Sequence, residues 1–231
     1  MPRTRFQNLI AISEATGKYL WNLPIGIAPR AIAEGYLLGE DIDNGIQYVI
    51  GKGKTSMTVA APDMGVEFGR SVMITGTVMD QSPGKPNTPA VSDSDMSVWM
   101  SYLYGQNATL LNNPPSPQGV PVTIIVLDAN GNYREIGKTT TNSNGFFKLN
   151  WTPDIQGDYT VYASFAGSGS YWSSNAVTAF SVDAAAPTTA PTQAQITSSA
   201  DTYLLPGIVA IIIAIAIVGV VLALLVTKKR P

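Results

Sequence analysis

The 231-residue sequence contains no cysteine and no histidine. Without thiolate or imidazole, its own side chains cannot assemble a Ser-His or Cys-His catalytic pair or an ordinary zinc, copper or haem site. Any catalysis is left to carboxylate, lysine or tyrosine chemistry, and no catalytic, cofactor-binding or metal-ligating set is expected. The missing cysteine does not fix a compartment, because an exported protein can simply lack disulfides. Charge is also scarce, at 13% of residues. Three of the 14 Lys and Arg lie in the last four positions, so 11 basic residues face 16 acidic ones in the remainder, a net charge of −5. A nucleic-acid partner would call for a basic footprint, which this balance excludes. The N-terminus has no signal-peptide run either, since Gln7, Asn8, Ser13, Glu14 and Lys18 interrupt every apolar candidate.

What is present begins at the opposite end. Gly207 to Val226 is twenty residues of Ile, Val, Ala, Leu and Gly without a charge. At about 1.5 Å per residue such a helix reaches about 30 Å, the thickness of the hydrocarbon core, so 204–227 is expected to span a membrane with lipid as its partner. Lys228, Lys229 and Arg230 follow. Basic residues are retained on the cytoplasmic side, which predicts a single-pass protein with a cytoplasmic tail at 228–231 and the bulk of the chain outside the cell. Pro206 is expected in the first helical turn, where its missing N–H costs nothing. Gly219 and Ala223 form a small-xxx-small pair that would let a second helix approach. An anchor in this orientation without an export signal predicts that the chain is the C-terminal part of a longer polypeptide.

Between residues 54 and 183 the pattern is that of a β-sandwich. Ser56–Ala60, Ser71–Val78, Val120–Leu127, Arg134–Thr140, Gly145–Trp151, Asp158–Phe165 and Val177–Val182 read as seven strands. Asp128-Ala129-Asn130-Gly131-Asn132 and Asn142-Ser143-Asn144-Gly145 supply residues that tolerate positive φ and close hairpins. Trp151-Thr152-Pro153-Asp154-Ile155-Gln156-Gly157-Asp158-Tyr159, continuing to Gly167, resembles the passage between the fifth and sixth strands of bacterial and archaeal immunoglobulin-like surface domains. That resemblance implies a tyrosine corner at Tyr159 and core packing for Phe147 and Trp151. The connection 80–119 is unusually long. Within it Met96, Trp99, Met100 and Leu103 recur at helical spacing, Ser92 to Asp95 offer caps and Gly105 a stop, so a short helical insertion is expected. Its other face would show Tyr102 and Tyr104, a candidate partner-binding pair or a cover for a sheet edge.

Residues 1–53 carry shorter strands. Leu9 to Ile12 and Lys18 to Trp21 flank a Thr16-Gly17 turn, and Arg30–Ala33, Tyr36–Leu38 and Ile46–Ile50 follow. Thr16-Gly17-Lys18-Tyr19-Leu20-Trp21 resembles the Thr-Gly-Lys-x-x-Trp repeat of quinoprotein-like β-propellers, which implies a partial propeller blade over 1–53 without implying a bound quinone. Gly51-Lys52-Gly53-Lys54-Thr55 is not a phosphate loop, because Tyr48 stands where the spacing needs glycine; it reads as an interdomain linker. Asp41 with Asp43, Asp93 with Asp95, and Asp128 with Asn130 and Asn132 offer oxygens of the kind calcium takes, but each set is too small and reads as a cap or turn. Asn107 and Asn150 head N-x-Thr glycosylation sequons. Residues 184–203 are rich in Ala, Pro and Thr and read as a stalk.

The whole sequence resembles archaeal membrane-anchored surface proteins that join quinoprotein-like propeller repeats to an immunoglobulin-like domain and a C-terminal transmembrane helix. The expected fold is mainly β: an immunoglobulin-like sandwich with a helical insertion, preceded by a partial blade. The expected role is non-catalytic: adhesion, envelope structure or ligand binding at the cell surface, with envelope proteins or glycans as partners. Two rivals are a membrane tether for a propeller enzyme and a single-span accessory subunit. The accessory-subunit reading predicts co-purification in detergent with a constant partner, and Gly219→Ile would abolish it; retention of the partner by that variant would remove the helix face from consideration.

Overall fold

A computed structural model describes residues 8–105, 108–185 and 199–228. The chain divides into two compact units, Met1–Ala186 and Pro187–Pro231.

The first unit opens with a small β module. Strands β1 (Leu9–Ile12) and β2 (Tyr19–Leu23) form an antiparallel hairpin, and β3 (Ile27–Ala33), β4 (Tyr36–Asp41) and β5 (Gln47–Ile50) form a separate antiparallel meander. Between β3 and β4 both central turn residues, Glu34 and Gly35, have positive φ (51° and 80°), the geometry that matches strand twist in a two-residue hairpin. The strands fall where the sequence places them, but they do not assemble into one four-stranded blade. The reason lies at Leu23-Pro24-Ile25-Gly26-Ile27. Ile25 N–H donates to Leu23 O and Ile27 N–H to Ile25 O, both at 2.8 Å, so tight three-residue turns replace a hairpin and β2 never pairs with β3. The kink drives Leu23, Ile25 and Ile27 into a small core of their own.

The sandwich follows. Strands β6 (Thr55–Ala60), β7 (Val66–Glu67), β8 (Val72–Asp80) and β9 (Thr88–Pro89) precede the insertion, which holds helices α1 (Met96–Tyr104) and α2 (Ala108–Asn112). Beyond it run β10 (Pro121–Leu127), β11 (Tyr133–Thr140), β12 (Phe146–Trp151), β13 (Gly157–Phe165) and β14 (Ser174–Asp183). One sheet has the order β11-β10-β13-β14-β7 and the other β12-β8-β6, with β9 added to β8. All pairs are antiparallel except β7 with β14. This strand order is immunoglobulin-like.

Alternation along the strands sends Val122, Ile124 and Val126 of β10, Tyr159, Val161, Ala163 and Phe165 of β13, and Val72, Ile74 and Val78 of β8 into one core. Phe147 fits there because its cross-strand partner is Gly76, where a Cβ would lie 2.5 Å from the Phe147 ring. Trp151 meets Tyr159 edge-on at 5.2 Å, and Tyr159 stacks on Phe180 at 5.4 Å. The Tyr159 hydroxyl donates to Ile155 O and accepts from Ile155 N–H, each at 3.1 Å, forming the tyrosine corner that the sequence led us to expect. Arg134 clamps the same corner by donating from both terminal nitrogens to Asp154, one of them at 2.7 Å, and this guanidinium holds the Asp154 carboxyl down at about 2.

Register also fixes polarity. Thr55 pairs with Asp80 at one end of the sandwich, where the β module, the insertion and the β13–β14 loop gather. β14 runs away from them, and its last pairs, Val182 with Val66 and Asp183 with Glu67, mark the other end, from which the chain departs. Ten residues of strand separate the two poles by about 30 Å.

The second unit holds helix α3, Ser199–Lys228, whose Thr202–Lys228 portion contains an 18-residue window of mean hydropathy 3.4 and is long and apolar enough to cross a membrane. It starts earlier than expected, so Pro206 sits inside the helix and not in its first turn. Proline removes one hydrogen bond at a cost of about 3 kcal/mol, a local penalty that kinks a long helix more readily than it ends one. The stalk expected over 184–203 therefore loses its last residues to α3, and its segment 186–198 lies outside the described residues.

Replacing Tyr159 by Phe keeps the packed ring but strands both polar groups of Ile155. We expect a loss of about 1–3 kcal/mol in urea unfolding, with an unchanged m-value. Unaltered stability would show that the corner is incidental.

Candidate functional site

Helix α1 is what ties the module to the sandwich. Met96, Met100 and Tyr104 lie four residues apart and share one stripe of the helix. Met96 packs against the sandwich core, whereas Met100 and Tyr104 pack with Trp21, Tyr48 and Ile50 around Leu23, Ile25 and Ile27. The helix ends at Gly105, whose N–H donates to Ser101 O at 2.9 Å. Its start differs from expectation. Asp95 occupies the N-cap position but makes no capping bond, because its carboxylate accepts instead from Gln118 N–H at 2.7 Å and so closes the base of the insertion.

The two tyrosines expected to form a binding pair are both half-buried and pack on different neighbours. Tyr104 turns inward, and burial raises its phenol above the usual range, with the Asp80 and Tyr48 charges adding to the effect. Tyr102 is half-buried and lies against buried Trp99, ring centroids 5.4 Å apart. Residues two apart on a helix do not share a face, so no exposed aromatic pair forms.

An exposed aromatic of this pole is Trp172, in the β13–β14 loop, at 54% relative exposure. Lys52 Nζ lies 5.2 Å from its ring centroid. The linker carrying Lys52 is sewn to that loop: Gly53 N–H donates to Ser170 O at 2.9 Å, and Trp172 N–H donates to Gly53 O at 2.8 Å. A Cβ on Gly53 would lie 2.6 Å from Ser82 Oγ, 3.1 Å from the Tyr171 ring and 3.2 Å from Asp80 Oδ1, so a larger residue here would displace these side chains. From the insertion, Asp93 grips the same loop, accepting from Gly169 N–H at 2.8 Å, Ser168 Oγ at 2.9 Å and Ser170 N–H at 3.0 Å. Partial burial works against its charge, but these donors prevail and hold its carboxyl below the usual range. Asp80 shows the opposite balance. It is buried, accepts from Ser82 N–H at 2.7 Å, and burial raises its carboxyl.

A second surface belongs to the module. Ala31, Leu38 and Val49 stand directly opposite one another across β3, β4 and β5, with Tyr36 two residues from Leu38 on the same face. Val49 is 68% exposed and Tyr36 42%. The ion pair of Arg30 with Glu40, at 2.9 Å, borders this apolar face. Such a face suits non-covalent recognition.

The other expected residues are scattered. Asp128 closes its turn by accepting from the backbone N–H groups of Asn130 and Asn132, and Asp41 does the same for Asp43. Among the described residues no three acidic side chains converge as metal ligands. Asn107 lies outside the described residues, while Asn150 stands exposed on β12. Gly219 and Ala223 are on the open surface of α3.

No protein-family model matches the chain, and no curated protein does. Among solved structures, the crystal structure of a CARDB domain of a Pyrococcus furiosus protein, in complex with di-metal ions, is 12% identical, with a TM-score of 0.32 over 58% of this chain and 96% of that one. A solution structure of that domain gives 0.30 at 11% identity, over 57% and 95%. A tetra-tandem repeat from the extending region of a large adhesion protein gives 0.37 at 15% identity, covering 78% of this chain and 42% of that structure. The immunoglobulin-like assignment rests on the strand order and the tyrosine corner of this chain.

Asp93→Ala removes three acceptor contacts from the loop and should lower stability at neutral pH by about 1–3 kcal/mol. Because the folded carboxyl titrates below its unfolded value, its contribution is present above about pH 4 and fades as pH falls through the folded value. The gap between parent and variant in urea melts should therefore narrow between about pH 5 and pH 3. A constant gap would mean that the carboxylate charge plays no part.

Proposed function

We propose that this chain is a non-catalytic, membrane-anchored cell-surface protein in which the sandwich spaces the β module from the bilayer and presents it for adhesion or attachment within the envelope. One observation carries the reading. The module sits at one pole of the sandwich, and the chain leaves from the other, ahead of the apolar helix. A single-span anchor followed by basic residues supports an extracellular position for everything before it. The lack of any histidine or cysteine supports binding over catalysis. The apolar face of Leu38, Val49 and Tyr36 is the surface assigned to the partner, a protein or glycan of the cell envelope.

Intact cells producing the full chain with a C-terminal epitope provide the test. External protease should remove the region before α3 and leave the epitope protected. In a second arm, the detergent-solubilised full chain is sedimented with isolated envelopes of the same cells. Replacing Leu38 and Val49 together by Asp should weaken co-sedimentation at least tenfold while leaving anchoring and protease accessibility unchanged. Protection of the region before α3 in intact cells would overturn the topology, and unchanged co-sedimentation of the double variant would overturn the assigned surface.

A further inference from the structure

Asn150 has no structural role to account for it. It lies within β12, where asparagine is an unfavourable choice, and no hydrogen bond joins its carboxamide to another described residue. Asparagines with a local role are present elsewhere in the sandwich: Asn142 accepts from Asn144 N–H and Phe146 N–H, and Asn132 donates to Asp128. The strand places Phe146, Lys148 and Asn150 on the exposed outer face, with Thr152 exposed just past its end, while Trp151 between them turns inward against Tyr159. Both polar members of the sequon are thus open to solvent and its middle residue is not. Directly across the ladder from Asn150 is Met73, which is 53% exposed.

We infer that Asn150 is an N-glycosylation site whose glycan covers the exposed Met73 side chain on the outer face of the β12-β8-β6 sheet. The inference rests on the extracellular placement proposed above. The donor is a lipid-linked oligosaccharide held through a phosphate or pyrophosphate. Its anomeric C–O bond breaks, with the electron pair leaving on the phosphate oxygen. The Asn150 carboxamide nitrogen forms the new bond to that carbon and gives up one proton to solvent. The position on a strand is no obstacle, because a sugar added to an outward-facing carboxamide displaces no core contact.

The test is mass spectrometry on the full chain purified from membranes of its own host, reading the peptide that spans Asn150, together with protease shaving of the same cells. We expect a glycan mass on that peptide, absent in Asn150→Gln and in Thr152→Ala and retained in Thr152→Ser. A role in folding alone would not produce that pattern. An unmodified Asn150 on a chain that external protease removes would overturn the glycan and leave the surface reading standing. An unmodified Asn150 on a chain protected from the protease would overturn both.

Discussion

The first unit depends on one helix serving two cores. Leu23, Ile25 and Ile27 are the buried apolar side chains of the β module among the described residues, and a core that small cannot offset the ordering of some forty residues. Met100 and Tyr104 enlarge it from outside, while Met96 on the same stripe is embedded in the sandwich. The module therefore draws its stability from the sandwich through α1. The linker works in the same direction: Gly53 pairs with the β13–β14 loop, and Asp93 fixes that loop to the base of the helix. What looks in sequence like a hinge between domains is a sutured joint.

This dependence shows which parts of the structure could be read from the sequence. The seven main sandwich strands and the five module strands were legible because each is a short apolar alternation closed by glycine, asparagine or aspartate. Tyr159 was legible through the resemblance of residues 151–167 to immunoglobulin-like surface domains, whose corner is built from neighbours a few residues upstream. The assembly of the module was not. Whether β2 pairs with β3 turns on a kink at Pro24 and on a helix some seventy residues later, neither of which periodicity reports. The same limit split Tyr102 from Tyr104. Helical spacing put Met96, Trp99, Met100 and Leu103 on the buried side, but two separate cores widened that side until it took in Tyr104 as well. Trp172 carried no signal of its own, since only the fold brings Lys52 to its ring.

Electrostatics follows the same division between local and long-range. Asp128 and Asp41 bond within their own turns, where composition alone places them. Asp93, Asp80 and Asp154 are shaped by groups distant in sequence. Asp93 and Asp154 are stabilised as anions by loop donors and by Arg134, whereas Asp80 lies in the joint with burial acting against its charge. Three carboxylates of one type thus differ through what faces them.

The exposed apolar surface of helix α3 and that of the module have different origins. The Thr202–Lys228 portion of helix α3 is long and apolar enough to cross a membrane, and that composition accounts for its exposed apolar residues. The module cannot be explained that way, because its exposed apolar residues alternate with buried ones along β4 and β5 and are bordered by an ion pair. A sheet with one face in a core and the other face apolar in water is a liability for a freely diffusing protein. Bracing through α1 holds that sheet rigid, and a rigid surface loses less conformational entropy on any contact than a mobile one does.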